Sequence, residues 1–287
     1  MNTQLQRYEK LLRFSDYRDS TIKTYLRAVN DFFIYLQRAN FTEEDIEIYL
    51  DKLQNRKISK QSWNQSMYAI KKYAETCTSI KFPSFIRKKQ PSNHIKPVPF
   101  KEDILHAVRI MDRLQDKAMM LLLYDGFLRE SELWTLKEKE IDYKRNLLIV
   151  RDGKGNRQRV VEISFSTAWM IYYSQRVREI ENPYICGVQG YKEKYLSKHY
   201  IYNLVKSAGQ SVGYNNWHPH LMRHSGATHS FLETGDILRI SRKLGHSKIE
   251  TTLRYLNLHT EDLLLRNNPR YTPLIRDENK QRIEVEG

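Results

Sequence analysis

The sequence predicts a mainly α-helical protein of two domains, with a small antiparallel β-sheet in the second domain. Apolar residues recur at helical spacing through the first eighty residues. Between residues 79 and 99 the composition changes, because four prolines prevent a continuous helix there. Further along, two short strand-like runs flank a glycine-containing turn at 152–156. A chain of 287 residues is long enough for two ordinary domains.

The first domain, residues 1–80, is expected to be a compact helical bundle. Its apolar stripe is clearest between residues 20 and 37, where Ser20 is a plausible N-cap. Thr42 begins another helix, and the acidic residues after it suit the positive end of a helix dipole. The predicted helices are 3–14, 20–37, 42–55 and 59–77.

A basic, proline-containing linker is expected at 81–97, followed by a second domain at 98–272 and a tail at 273–287. In the second domain, Leu147–Arg151 and Arg159–Ile163 read as the two strands of a hairpin. Helices are expected on both sides of this hairpin, including a buried helical segment from Met119 to Tyr124.

The net charge of +14 points to a polyanionic partner. The charge alone leaves a solvated surface and a nucleic-acid partner about equally open. The charge is uneven, since residues 51–97 contain eleven basic residues and two acidic ones. Such a run can be a solvated surface, but it is also typical of a face that contacts phosphates. The candidate DNA-binding residues are Lys52, Arg56, Lys57, Lys60, Lys71, Lys72, Arg87, Lys88 and Lys89.

Cysteine content and hydropathy narrow the class of protein further. Cys77 and Cys186 are the only cysteines, which excludes a disulfide framework and a cysteine-rich zinc module. No apolar run approaches the length of a membrane span, and the N-terminus has no signal-peptide pattern. We therefore expect a soluble protein in the cytoplasm or at the nucleoid, without a membrane partner.

Four polar segments stand out in the second domain, at 126–133, 153–159, 218–225 and 244–255. The third continues as His-Leu-Met-Arg-His-Ser-Gly-Ala-Thr-His from residue 220. The fourth reads Leu-Gly-His-Ser-Lys-Ile-Glu-Thr-Thr-Leu-Arg-Tyr. Together these segments resemble the tyrosine recombinases, or phage integrase family, whose pattern is Arg, Lys, His-x-x-Arg, His or Trp, and Tyr.

The resemblance extends strongly over 98–272, and over the helical first domain in architecture only; in size the chain is Xer-like. It implies a helical, SAM-like core-binding domain followed by a catalytic domain. Glu132 falls three residues after the first arginine, where the family carries an acid. The catalytic residues that it implies are Arg129, Lys154, His220, Arg223, His246 and Tyr255.

The sequence departs from the family pattern in two places. The family has Thr-Gly-Leu-Arg where this chain has Asp-Gly-Phe-Leu-Arg at 125–129, which suggests one extra residue between Gly126 and Arg129. The usual phenylalanine of the third segment is Gly226, a change that affects packing rather than chemistry.

The residue types suit cleavage of a phosphodiester. Tyr255 is the expected nucleophile, and a phenol with a pKa of about 10 needs a base or a positive pocket. Arg129 and Arg223 can grip phosphate oxygens bidentately. Lys154 can protonate the leaving 5′ oxygen, although an exposed hairpin lysine can also be merely solvated, and Lys144, Arg157 and Arg159 lie nearby in the sequence. Either His220 or His246 can accept the tyrosine proton. The scheme needs no cofactor, neither ATP nor a metal.

A zinc site is the alternative for the histidines, because His220 and His224 have the spacing of zinc-binding helices. The glutamate of such motifs is absent, and the cationic Arg223 lies between the two histidines, so no metal is expected.

The resemblance implies a site-specific recombinase that forms a 3′-phosphotyrosyl intermediate. It further implies a homotetramer that binds paired recombination half-sites and exchanges strands through a Holliday junction. Integration, excision and replicon-dimer resolution remain open as biological roles. Two other functions also remain open: a sequence-specific DNA-binding protein that does not cut, and a type IB topoisomerase-like nicking and closing enzyme.

Overall fold

A computed structural model describes residues 2–56, 58–90, 98–151, 158–178 and 180–256 of the chain. The chain divides into two compact units, Met1–His94 and Ile95–Gly287. Helices dominate both units, and the sheet of the second unit has three antiparallel strands, so the predicted fold class is confirmed. Among the described residues, no helix is both long enough and apolar enough to cross a membrane.

The first unit is a bundle of four helices around an aromatic core. Phe33 and Tyr73 are fully buried in this core, with their ring centroids 5.4 Å apart. The hydroxyl of Thr42 accepts a hydrogen bond from the backbone N–H of Asp45. In return, the carboxylate of Asp45 accepts one from the backbone N–H of Thr42, so the two residues cap α3. The predicted cap at Ser20 is wrong, because the second helix already begins at Asp19. The helices are α1 (Asn2–Phe14), α2 (Asp19–Leu36), α3 (Glu43–Asn55) and α4 (Lys60–Cys77).

The chain after α4 runs along the first unit without forming a helix. Phe82 and Ile86 pack against its core. The Asn64 side chain donates to the carbonyl of Lys89 and accepts from its backbone N–H, at 2.9 and 2.7 Å. Residues up to 89 are therefore held by side-chain contacts as well as by proline stiffness; residues 91–97 of the predicted linker lie outside the described part.

The second unit contains eight helices within the described ranges, and the three-stranded sheet lies among them. The predicted hairpin is present, with Leu148 paired to Val161 and Val150 paired to Arg159. The sequence did not reveal the third strand, which is only two residues long and shows no alternation. The elements are α5 (Lys101–Ile110), α6 (Leu114–Tyr124), α7 (Glu130–Thr135), β1 (Ile141–Asp142), β2 (Leu147–Arg151), β3 (Gln158–Glu162), α8 (Phe165–Arg176), α9 (Lys198–Ser211), α10 (Pro219–Thr234), α11 (Ile237–Leu244) and α12 (Ile249–Tyr255).

Helix α6 is the centre of the second unit. Every residue from Gln115 to Tyr124 except the half-buried Lys117 is buried. Helices α8 and α10 both pack against it. A helix that is apolar on nearly all sides belongs in the interior, so α6 fixes where the segments that follow it emerge.

The turn after α6 contains a phenylalanine with a left-handed backbone. Phe127 has a φ of 49°, which is strained for a bulky residue, and its ring is buried. It lies two residues before Arg129, as the glycine of Thr-Gly-Leu-Arg does. The expected extra residue is therefore better described as a replacement of that glycine by phenylalanine.

Gly226 on α10 makes room for this turn. A Cβ atom on Gly226 would lie 1.8 Å from the carbonyl oxygen of Tyr124 and 3.1 Å from a ring carbon of Phe127. Any side chain at 226 would therefore displace the end of α6 or the Phe127 ring.

We expect Gly226→Ala to lower the free energy of unfolding of the second unit by about 1–3 kcal/mol, because the methyl group overpacks this contact. Urea denaturation with hydrogen exchange resolved by unit checks the effect and its location. Ser230→Ala is the control, because Ser230 is a half-buried residue on the same helix. Unchanged stability of Gly226→Ala would contradict the described packing of α10 against α6.

Candidate active site

The carboxylate of Glu132 holds guanidinium groups from three different elements. It accepts from Nη1 of Arg129 at 2.7 Å and from two nitrogens of Arg159 at 2.8 Å each. Nη1 of Arg223 lies 3.5 Å from the same carboxylate. The start of α7, strand β3 and helix α10 therefore converge on one buried acid.

Opposing effects set the pKa of Glu132. Burial raises this pKa. The hydrogen bonds and charge of Arg159 lower it more, and the backbone N–H and charge of Arg129 lower it further. The resulting pKa is about 2. Glu132 is therefore ionised at neutral pH, and its single negative charge stands among three positive ones.

Two backbone carbonyls orient Arg223, which is 1 % exposed. Nη1 donates to the carbonyl of Phe127, and Nη2 donates to that of Leu244 at 2.7 Å. The left-handed turn at Phe127 thus supplies one of the two carbonyls that fix this guanidinium. A guanidinium carries five N–H donors, more than these two carbonyls use.

Arg159 was not among the site residues predicted from the sequence. Besides its paired bonds to Glu132, its Nε donates to the carbonyl of Lys243 at 3.0 Å, which connects β3 to α11. In the structure Arg159 lies between the exposed Gln158 and Val160 and shares the inward side of β3 with Val161. The sequence does not show this side, because Val160 and Val161 are both apolar. A basic residue on the inward side of a strand needs a buried partner.

His246 follows Gly245, whose φ of 71° ends α11. Its Nδ1 lies 2.9 Å from the hydroxyl oxygen of Thr252 on α12. Burial, followed by the positive charges of Arg223, Arg129 and Arg159 and by the nearby imidazole of His220, lowers the pKa of His246 to about 4. The ring is therefore neutral at neutral pH.

The other histidines of the third segment have different environments. His220 is exposed in the first turn of α10, three residues before Arg223, and lies near enough to His246 to interact with it electrostatically. Nδ1 of His218 accepts from the backbone N–H of Leu221 and caps α10. His224 is buried. No group of three or more metal-ligating side chains occurs among the residues that could be searched, which are the described ones.

The structure brings Arg129, Glu132, Arg223 and His246 together, and His220 lies close to them. Lys154 lies outside the described residues, between the ends of β2 and β3. Tyr255 is the last residue of α12, and its side chain lies outside the description.

The basic residues of the first unit are distributed over several surfaces. Lys52 and Arg56 line a cleft of about 790 Å³ together with Arg27 of α2. Nζ of Lys52 lies 4.1 Å from the centre of the Tyr35 ring, and Nζ of Lys71 is 3.8 Å from Glu75. The other candidates are Lys60, Arg87 and Lys88, which are exposed, Lys72 and Lys89, which are half-buried, and Lys57, which lies outside the described part.

We expect Glu132→Gln to cost about 3–5 kcal/mol of stability at pH 7, because it leaves buried guanidinium groups without their counter-charge. The folded-state pKa of Glu132 is lowered from 4.5 to about 2, so its contribution is complete above pH 4.5 and is lost as the pH falls toward 2. Urea denaturation between pH 7 and 3 should show the difference between wild type and Glu132→Gln shrinking below pH 4.5.

Glu130→Gln, on the same helix, is the control and should change the stability by less than about 1 kcal/mol. A difference between wild type and Glu132→Gln that does not change over this pH range would contradict the assigned ionisation.

Comparison with known proteins shows the family. The Phage integrase family matches residues 101–262, and the Phage integrase N-terminal SAM-like domain matches residues 5–82. Tyrosine recombinase XerA of Pyrococcus horikoshii is 31 % identical over 269 residues, which are 90 % of this chain and 90 % of that protein.

Two solved structures share the fold at lower sequence identity. A lambda integrase dimer bound to a COC′ core site has a TM-score of 0.70 and 14 % identity, and the match covers 100 % of this chain and 99 % of that one. XerH site-specific recombinase in a pre-cleavage complex with its difH substrate has a TM-score of 0.67 and 17 % identity, over 92 % of this chain and 82 % of that one. With a family match over more than half of its length and a XerA relative along 90 % of it, the chain belongs to the phage integrase family of tyrosine recombinases.

Proposed function

We propose that this recombinase cuts and rejoins DNA strands at specific sites through a 3′-phosphotyrosyl intermediate, with Tyr255 as the nucleophile. The observation that carries the proposal is the convergence of Arg129, Arg223 and His246 around the ionised Glu132. Such a cluster offers a phosphodiester several positive or hydrogen-bonding groups in one place.

The two arginines bind the non-bridging oxygens of the scissile phosphate. The Arg129 side chain is 38 % exposed, so it is accessible to a strand that lies across the site. Arg223 is held by two carbonyls, so it need not be ordered when DNA binds. A guanidinium group supplies both a positive charge and several N–H donors to phosphate oxygens.

The histidines take different roles because their environments differ. A group with a pKa of about 4 is a weak base at neutral pH, so His246 acts as a neutral hydrogen-bond donor to a phosphate oxygen. We assign the acceptance of the tyrosine proton to His220, which is exposed beside the cluster.

Each step of the reaction exchanges one phosphoester bond for another, so the energy of the bond is kept. The Tyr255 oxygen bonds to phosphorus and gives its proton to His220, while the bond from phosphorus to the 5′ oxygen breaks and Lys154 protonates that oxygen. The 5′ hydroxyl of a partner strand then gives its proton to Lys154 and attacks the phosphotyrosine, and Tyr255 leaves and takes its proton back from His220. Paired exchanges of this kind produce a Holliday junction, which calls for a homotetramer on two double-stranded DNA sites.

We expect wild-type protein to form an EDTA-resistant covalent adduct with a nicked suicide substrate that carries its recombination site. Tyr255→Phe should form none, because it lacks the oxygen that attacks phosphorus. Denaturing gel electrophoresis of labelled DNA measures the adduct, and Tyr202→Phe, an exposed tyrosine on α9, is the control.

An adduct that persists in Tyr255→Phe would show that another residue is the nucleophile. Site-specific binding without any adduct would favour the DNA-binding protein that does not cut. Relaxation of supercoiled DNA by a monomer without site preference would favour the topoisomerase-like enzyme.

We further propose that the cleft of the first unit contacts DNA. Lys52 and Arg56 lie at the end of α3, beside Ser62, Gln65 and Ser66 of α4. Basic side chains next to small polar ones suit a phosphate backbone, which they would position without reading its sequence.

We expect the double substitution Lys52→Ala, Arg56→Ala to weaken DNA binding and to reduce the slope of log K against log salt by about 2, since each phosphate contact contributes about one unit. Fluorescence anisotropy between 50 and 300 mM salt measures this slope. Lys10→Ala, on the exposed side of α1, should leave the slope unchanged. Equal slopes for the double variant and wild type would remove these two residues from the interface.

A further inference from the structure

The hydroxyl group of Thr252 forms a hydrogen bond with the ring of His246. Thr252 is fully buried on α12, three residues before Tyr255, and its hydroxyl oxygen lies 2.9 Å from Nδ1 of His246. Among the polar atoms of the described residues, Nδ1 is the hydrogen-bond partner found for this hydroxyl.

The direction of this hydrogen bond determines where His246 carries its proton. A neutral imidazole donates through one ring nitrogen and accepts through the other. Within the described residues, Nδ1 is the acceptor that this buried hydroxyl contacts, so we take the hydroxyl as the donor. Nδ1 then accepts, and Nε2 carries the ring proton. Nε2 is also the nitrogen on the opposite side of the ring from Thr252.

The hydroxyl of Thr252 has a role beyond filling space in the core. A buried hydroxyl costs free energy unless it is paired, and valine would fill the same volume without that cost. The neighbouring Thr251 is exposed. Two adjacent threonines therefore lie in opposite environments, and the inward one contacts His246.

We propose that Thr252 is a positioning residue that holds His246 as the Nε2–H tautomer, with the Nε2–H directed at the scissile phosphate. The inference rests on the role proposed above for His246. It also connects the imidazole to the helix that carries Tyr255, because the same hydroxyl anchors α12 to the segment that follows α11.

Three variants test the hydroxyl directly. Thr252→Val removes it at nearly constant volume, Thr252→Ser keeps it, and Thr251→Val makes the same change on the exposed neighbour. Single-turnover formation of the covalent adduct should be about tenfold slower or more in Thr252→Val, as for other residues that orient a functional imidazole. Thr252→Ser and Thr251→Val should stay within about threefold of wild type.

DNA affinity is measured separately for each variant and should remain within about twofold of wild type, since Thr252 is buried. A slow Thr252→Val with wild-type affinity and rescue by Thr252→Ser supports positioning, because lost packing would not be rescued by the smaller serine. A Thr252→Val variant that cleaves as fast as Thr252→Ser overturns the proposal.

The tautomer is measured without any substitution at 252. In ¹⁵N-histidine NMR spectra of wild type at pH 7, with His246→Gln used for assignment, Nδ1 of His246 should have the shift of an unprotonated nitrogen and Nε2 that of a protonated one. A protonated Nδ1 overturns the proposal even if a variant fails to fold. If wild type forms no adduct, the proposed function fails, and the spectrum still decides the tautomer.

Discussion

The site depends on one buried carboxylate that holds three guanidinium groups within bonding distance. Without Glu132, the positive charges of Arg129, Arg159 and Arg223 would repel one another with no negative charge between them. With it, the cluster keeps an excess of two positive charges. A phosphodiester brings one negative charge and its pentavalent transition state two, so under the proposed mechanism the excess would be balanced as the transition state forms.

The backbone of the second unit supports this arrangement at its most strained point. The carbonyl that receives Nη1 of Arg223 belongs to Phe127, the residue with a left-handed backbone. Its conformation is maintained by burial of its ring and by the absence of a side chain at Gly226. The two departures from the family pattern are Phe127 in place of a glycine and Gly226 in place of a phenylalanine. They lie next to each other, so the space left by the missing side chain at 226 accommodates the Phe127 ring.

Sequence periodicity was enough for the elements whose burial repeats along the chain. Helices α2, α3 and α4 and the β2–β3 hairpin were predicted within one or two residues, because each presents one apolar side to a core. Strand β1 was missed because two residues cannot show a period. The sequence places Arg129, Glu132, Arg223 and His246 in order along the chain, but their convergence is a tertiary property.

Arg159 and Thr252 show why the rest of the site could not be predicted. The interaction of Arg159 with Glu132 joins residues 27 positions apart in different elements. The contact between Thr252 and His246 crosses a turn whose path the sequence does not determine. Both are common surface residue types, and only the burial of each side chain in the fold shows that it has a polar partner to satisfy.

The electrostatics of the cluster couple phosphate binding to the protonation of His246. The arginines that would bind the phosphate are also those whose charges lower the pKa of this histidine to about 4. A bound anion offsets part of their charge, so the pKa of His246 rises toward its ordinary value of 6.5 when the site is filled. Before an anion binds, the ring is neutral at neutral pH. It can therefore donate a hydrogen bond to phosphate without adding a further positive charge to a site that already holds three arginines.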